Sequence, residues 1–212
     1  MNDVCSTPDI IALARSVLAA AHEPSLGFEL VVHPPPDSGG WWGYVEDAAL
    51  GIGEQVGPEP PLAAIVIAPC PSTTLELLVH EIGHLATRLL ETPRQWAARE
   101  EWVERKLQYA PAEYWAAWEP PPRDADEEWW KDDFHHNALW FRACAHLAWR
   151  LELTGQCVAW PCMIQMPGVW RWRRLAKAEA TTFCRAPLSE VLRRPVPRRQ
   201  LRWLQRTGVL TA

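Results

Sequence analysis

CPSTTLELLVHEIGHLATRLLETP, residues 70–93, is the stretch on which the fold turns. Leu75, Leu78, Val79, Ile82, Leu85, Ala86 and Leu89 recur at helical period and would form one apolar face. Thr73 followed by Glu76 has capping-box spacing, and Pro93 stops the pattern. A helix of about five turns is therefore predicted from near Leu75 to near Leu90. Inside it lies His80-Glu81-Ile82-Gly83-His84. Residues four apart share a helix face, so both imidazoles can reach one metal ion. Neutral imidazoles suit zinc, and a carboxylate one residue along can take a proton from an activated water. Gly83 carries no side chain and lets another backbone approach this helix.

The flanks supply the rest of the fold. LAAIVIAP, residues 62–69, is a continuous apolar run of strand length, consistent with a buried strand just before the helix. FELVVHPP, residues 28–35, reads as a short strand ended by prolines. After the turn Asp-Ser-Gly-Gly at 37–40, residues 41–46 read as a strand returning antiparallel, and residues 51–61 as loop. Residues 8–21 form an amphipathic helix with Ser6 or Thr7 as cap and Pro8 in its first turn. Helical patterns resume over 94–118, broken at Pro111, then over 134–153, closed by Thr154-Gly155, then over 170–183 and 188–206. The expected fold class is α+β: a small β-sheet of roughly three strands with the motif helix packed on it, and a mostly helical C-terminal half. Residues 1–155 would form one domain, with an acidic Trp-rich helical insertion at about 94–133. Residues 156–212 would be a basic, mainly helical extension.

Composition bounds the partners. The chain has 212 residues, 14 Trp, 20 Pro and a net charge of -5, which gives no general pull toward nucleic acid or anionic lipid. From Arg171 onward the chain is strongly basic, with Arg173, Arg174, Lys177, Arg185, Arg193 and Arg194 among the cations. Such a segment is more often a solvated face or a partner for the chain's own acidic stretch than a nucleic-acid contact. No run is long enough to span a bilayer, and the N-terminus lacks a basic region before its apolar run. A cytoplasmic protein with free thiols is expected. The pair Cys157 and Cys162 is spaced too widely for a usual zinc knuckle.

VHEIGHLA, residues 79–86, resembles the zincin metallopeptidase superfamily. The resemblance covers the motif and little else of the chain. It implies a zinc ion held by His80 and His84, Glu81 as the general base, and hydrolysis of a peptide bond in a protein or peptide substrate. A catalytic zinc needs a third protein ligand. His135 and His136 are one set of candidates; Glu100, Glu101 and Glu104 are the other. His136 opens the run HNALWFRACAHL, which looks like the segment supplying the third ligand in SprT-like metallopeptidases, with Trp140 in the aromatic place and Asn137 where that family has Gly. That spacing favours His136. The Glu group resembles the gluzincin pattern, and Glu100 loosely the ImmA type. His146 falls off the His136 helical face and fits a hydrogen-bonded core histidine. Asp132 and Asp133 read as capping acids or as partners of a ligand His, and Tyr109, Tyr114 and Arg142 as candidates for stabilising an oxyanion. Two rival readings stand beside this one: a regulatory module with a structural metal, and a zinc hydrolase of non-peptide amides.

Overall fold

The computed structural model of the chain describes residues 7–34, 42–46, 49–69, 73–90, 138–159, 173–174, 176–177, 179 and 185–195. In chain order its elements are α1 (Thr7–Ala21), β1 (Phe28–Val32), β2 (Trp42–Glu46), β3 (Glu54–Val56), β4 (Ala64–Ala68), α2 (Thr74–Arg88), α3 (Ala138–Leu153) and α4 (Leu188–Arg193). All belong to one compact unit made of Met1–Leu90 and Ala138–Ala212. Residues 91–137, which carry His135, His136, Glu100, Glu101, Glu104, Tyr109, Tyr114, Asp132 and Asp133, lie outside the described residues.

The α+β class is what the sequence leads one to expect, but the sheet is larger and wired differently. Among the described residues it has four strands in the order β2-β4-β1-β3. β4 is buried at every position, as a strand covered on both faces must be. It pairs parallel with β1, Leu30 opposite Ile65, and antiparallel with β2, Gly43 opposite Ile67. The antiparallel return of β2 is therefore onto β4 and not onto β1. β1 also pairs antiparallel with β3, which occupies part of the stretch read as loop. Between β1 and β4 the chain makes a crossover, so the two most apolar strands become central neighbours and the more polar β2 and β3 become edges.

A single carboxylate anchors the loop before β3. Glu29, on β1, is 4% exposed. Its Oε2 accepts the N–H groups of Leu50 and Gly51, and its Oε1 those of Ile52 and Gly53. Burial alone would raise this carboxyl, but the four backbone donors outweigh it and hold it below its ordinary value.

Helix α2 runs Thr74–Arg88, close to the expected span. The capping box does not form. The Thr73 side chain makes no capping hydrogen bond, and Glu76 instead accepts the Ala159 N–H at 2.6 Å. What fixes α2 is its apolar face. Leu77, Leu78, Ile82 and Leu85 are fully buried in one core with residues of the sheet, α1 and α3, each worth about 1.5–3 kcal/mol of burial. α3 ends as predicted: Gly155 has φ +88, and Gln156 N–H closes back on Leu151 O. Among the described residues no helix is long and apolar enough to cross a membrane.

Candidate metal centre

α2 and α3 touch at Gly83. A methyl group there would overlap Cys144 Sγ and sit 3.4 Å from Trp140 Nε1. The missing side chain thus lets α3 press against the middle of the His-Glu-Ile-Gly-His turn. Cys144 is fully buried, and its thiol points at Val79 O, 3.7 Å away. Burial first, and then the nearby Glu81 charge, push that thiol's pKa well up, so it stays protonated and inert.

The close approach places Trp140, 2% exposed, against both histidines. Its Nε1–H donates to His80 O at 3.2 Å. Its ring stacks on His84 at 5.1 Å and 26°, and meets the His80 ring edge-on at 4.7 Å and 69°. Trp140 is therefore a wall that fixes two imidazoles at once. The sequence reading gave it only an aromatic place.

The two imidazoles converge. His80 Nε2 and His84 Nε2 are 3.3 Å apart. Two nitrogens each at about 2.0–2.1 Å from zinc, at the tetrahedral angle, stand about 3.3–3.4 Å apart. Glu81 completes the group, and the ligand atoms of all three residues lie within 4.8 Å of one another. Glu81 is 3% exposed. Its burial raises the carboxyl to about 8. The donor set of two imidazole nitrogens and a carboxyl oxygen is one that could hold a divalent cation.

Gly43 of β2 closes the other side. A Cβ there would lie 2.8 Å from Glu81 Oε1 and 3.0 Å from Leu77 Cδ1. A methyl group there would oblige the carboxyl group to shift. Neither Gly43 nor this role was visible from the sequence, because the β2–α2 approach depends on β2 pairing with β4.

Two other residues singled out in the sequence are occupied elsewhere. Arg142 does not face the histidines. Its guanidinium forms a two-pronged pair with Glu179, at 3.0 and 2.7 Å, and donates to Arg194 O at 2.6 Å. His146, fully buried, meets the same Glu179 through Nε2 at 2.7 Å. It is a hydrogen-bonded core histidine, held neutral by burial in spite of Glu179's opposing pull. Cys157 is exposed, while Cys162 lies outside the described residues. So do the candidates for the third ligand. No family model, curated protein or solved structure matches the chain.

Proposed function

We propose that the chain is a zinc-dependent hydrolase acting on peptide bonds, a zincin by mechanism, with His80 and His84 as metal ligands and Glu81 as general base. The observation that carries this reading is the 3.3 Å convergence of the two Nε2 atoms beside the buried Glu81 carboxyl group. His136 is the proposed third ligand, with His135 or a residue of the Glu100, Glu101 and Glu104 group as its replacement.

Zinc bound there supplies a Lewis acid that polarises the scissile carbonyl and makes water acidic near neutral pH. His80 and His84 hold the ion on one face of α2. Trp140 fixes both rings, so little side-chain entropy is lost when the metal enters. Glu81 accepts the proton of the attacking water on a carboxylate oxygen and passes it to the departing nitrogen.

A peptide is favoured over a small amide by β2. Among the described residues it is an edge strand, one side paired with β4, and its Gly43 adjoins Glu81. An extended peptide can add to such an edge through main-chain hydrogen bonds and so cross the carboxylate. The test is Glu81→Gln against wild type, reading zinc content and hydrolysis of unfolded casein. Retained zinc with a fall of about 10²–10⁴ in rate is expected for loss of a general base. A Glu81→Gln protein that hydrolyses casein at the wild-type rate overturns the reading.

A further inference from the structure

A second feature stands apart from the histidine cluster and shares no residue with it. An open groove of about 700 Å³ lies where the end of α1 meets the turn before α4. That is within the usual range for small-molecule sites. Leu18, Leu26 and Pro58 contribute its apolar lining. Arg15, His22 and Arg185 contribute cationic or proton-binding groups, and Glu23 is the lone acid. It opens beyond the Arg150 end of α3, ten residues or about 15 Å along the helix from Trp140.

The charge balance of this groove is unusual for a chain whose net charge is -5. Both oxygens of Glu23 are already engaged, one by Ser25 Oγ and one by the Ser189 N–H, each at 3.1 Å. Neither Arg15 nor Arg185 has an ion-pair partner among the described residues. The negative end of the α1 dipole does not account for them, because Arg150 covers it, donating to Ala20 O at 2.9 Å and Ala21 O at 3.0 Å. Arg150 also donates to Ala186 O at 2.9 Å. That bond and the Ser189–Glu23 bond tie the two walls together. The neighbourhood is positive enough that His22 is held below its ordinary pKa, by burial first and then by Arg150 and Arg185.

We propose that this groove is a binding site for a small amphiphilic anion, a carboxylate or phosphate monoester on an apolar body, with Arg15 and Arg185 holding the charge and Leu18 and Pro58 taking the body. The proposal is independent of the metal centre. It predicts affinity from both halves: the two guanidinium groups attract the anion, and the apolar lining adds the rest.

The test is a titration of the full chain with phenyl phosphate, benzoate, inorganic phosphate and benzyl alcohol, followed by calorimetry and by amide shifts. Phenyl phosphate or benzoate should bind saturably, and whichever binds identifies the headgroup. Inorganic phosphate and benzyl alcohol should each bind at least ten-fold more weakly. Arg15→Ala with Arg185→Ala should weaken the binding ten-fold or more, while Arg174→Ala, an exposed arginine outside the groove, should leave it unchanged. Both groove arginines are exposed, so the double variant should unfold at the wild-type temperature. Absence of saturable binding by either amphiphile, equal binding of inorganic phosphate, or wild-type binding by the double variant would overturn the proposal.

Discussion

Replacing Gly83 by alanine adds one methyl group at the crossing of α2 and α3. In an unobstructed helix interior the change would stabilise by about 1 kcal/mol, since glycine is the poorer helix former. Here the methyl would overlap Cys144 Sγ, and the sulfur has little freedom to move: it is fully buried, on a helix packed against α2. Forcing extra volume into a filled core costs about 1–3 kcal/mol. The overlap falls on a buried sulfur, so the upper half of that range applies, and the net expectation is a loss of about 1–2 kcal/mol. The next nearest atom, Trp140 Nε1 at 3.4 Å, is at ordinary contact distance. Removing the sulfur should therefore remove the obstacle. In a Cys144→Ala background, Gly83→Ala should be neutral or stabilising, a coupling of about 2 kcal/mol in a double-mutant cycle. Urea unfolding of the four proteins measures this, with a constant m-value as the check that only stability has changed. A Gly83→Ala protein as stable as wild type, or effects that simply add, would refute the close approach of the two helices.

Trp140→Phe keeps a ring against the histidines but loses the Nε1–H bond to His80 O, and Trp140→Leu loses both. Zinc affinity should fall in that order, by about 10–100-fold for the leucine, and equal affinity in all three proteins would argue against a positioning role. Glu29→Gln should cost about 2–3 kcal/mol at pH 7, because an amide cannot accept all four buried N–H groups. Since the folded pKa of Glu29 lies below its ordinary value, its contribution is present above about 4.5 and is lost as pH falls through the folded value. The gap between wild type and Glu29→Gln should therefore narrow at pH 3.5, and a constant gap would contradict this. His146, neutral in the folded chain, gains a proton on unfolding as pH falls below 6.5, so stability should decline there. His146→Gln should flatten that slope in unfolding measured from pH 7 to pH 5, and an unchanged slope would count against it.

The parts of this structure that could be read from sequence are those whose signal is local. α2 announces itself by period, and β4 by an unbroken apolar run, because each buries a face that the sequence must supply. The His80–Glu81–His84 geometry follows from helical spacing alone. β3 escaped notice because Glu54-Gln55-Val56 is short, mostly polar and set between glycines, and it is held in place by its pairing with β1. The antiparallel direction of β2 is legible, but its partner is not: nearness in sequence suggests a hairpin, whereas β4, buried on both faces, needs neighbours on both edges. Glu76 has the spacing of a capping residue but spends its carboxylate on Ala159, 83 residues away. Arg142 looked available because Glu179 lies 37 residues later and nothing local links them. Trp140 and Gly43 became site residues only once the long-range packing of α3 and β2 was known.

The claim on which the proposed chemistry rests is that His80 and His84 hold a metal. Zinc stoichiometry after dialysis, measured on wild type, His80→Ala and His84→Ala with their unfolding curves alongside, tests it most directly. One zinc per folded wild-type chain, lost in either variant while the fold is kept, is the predicted result. A folded wild-type chain that retains no zinc, or a variant that retains it fully, would contradict it.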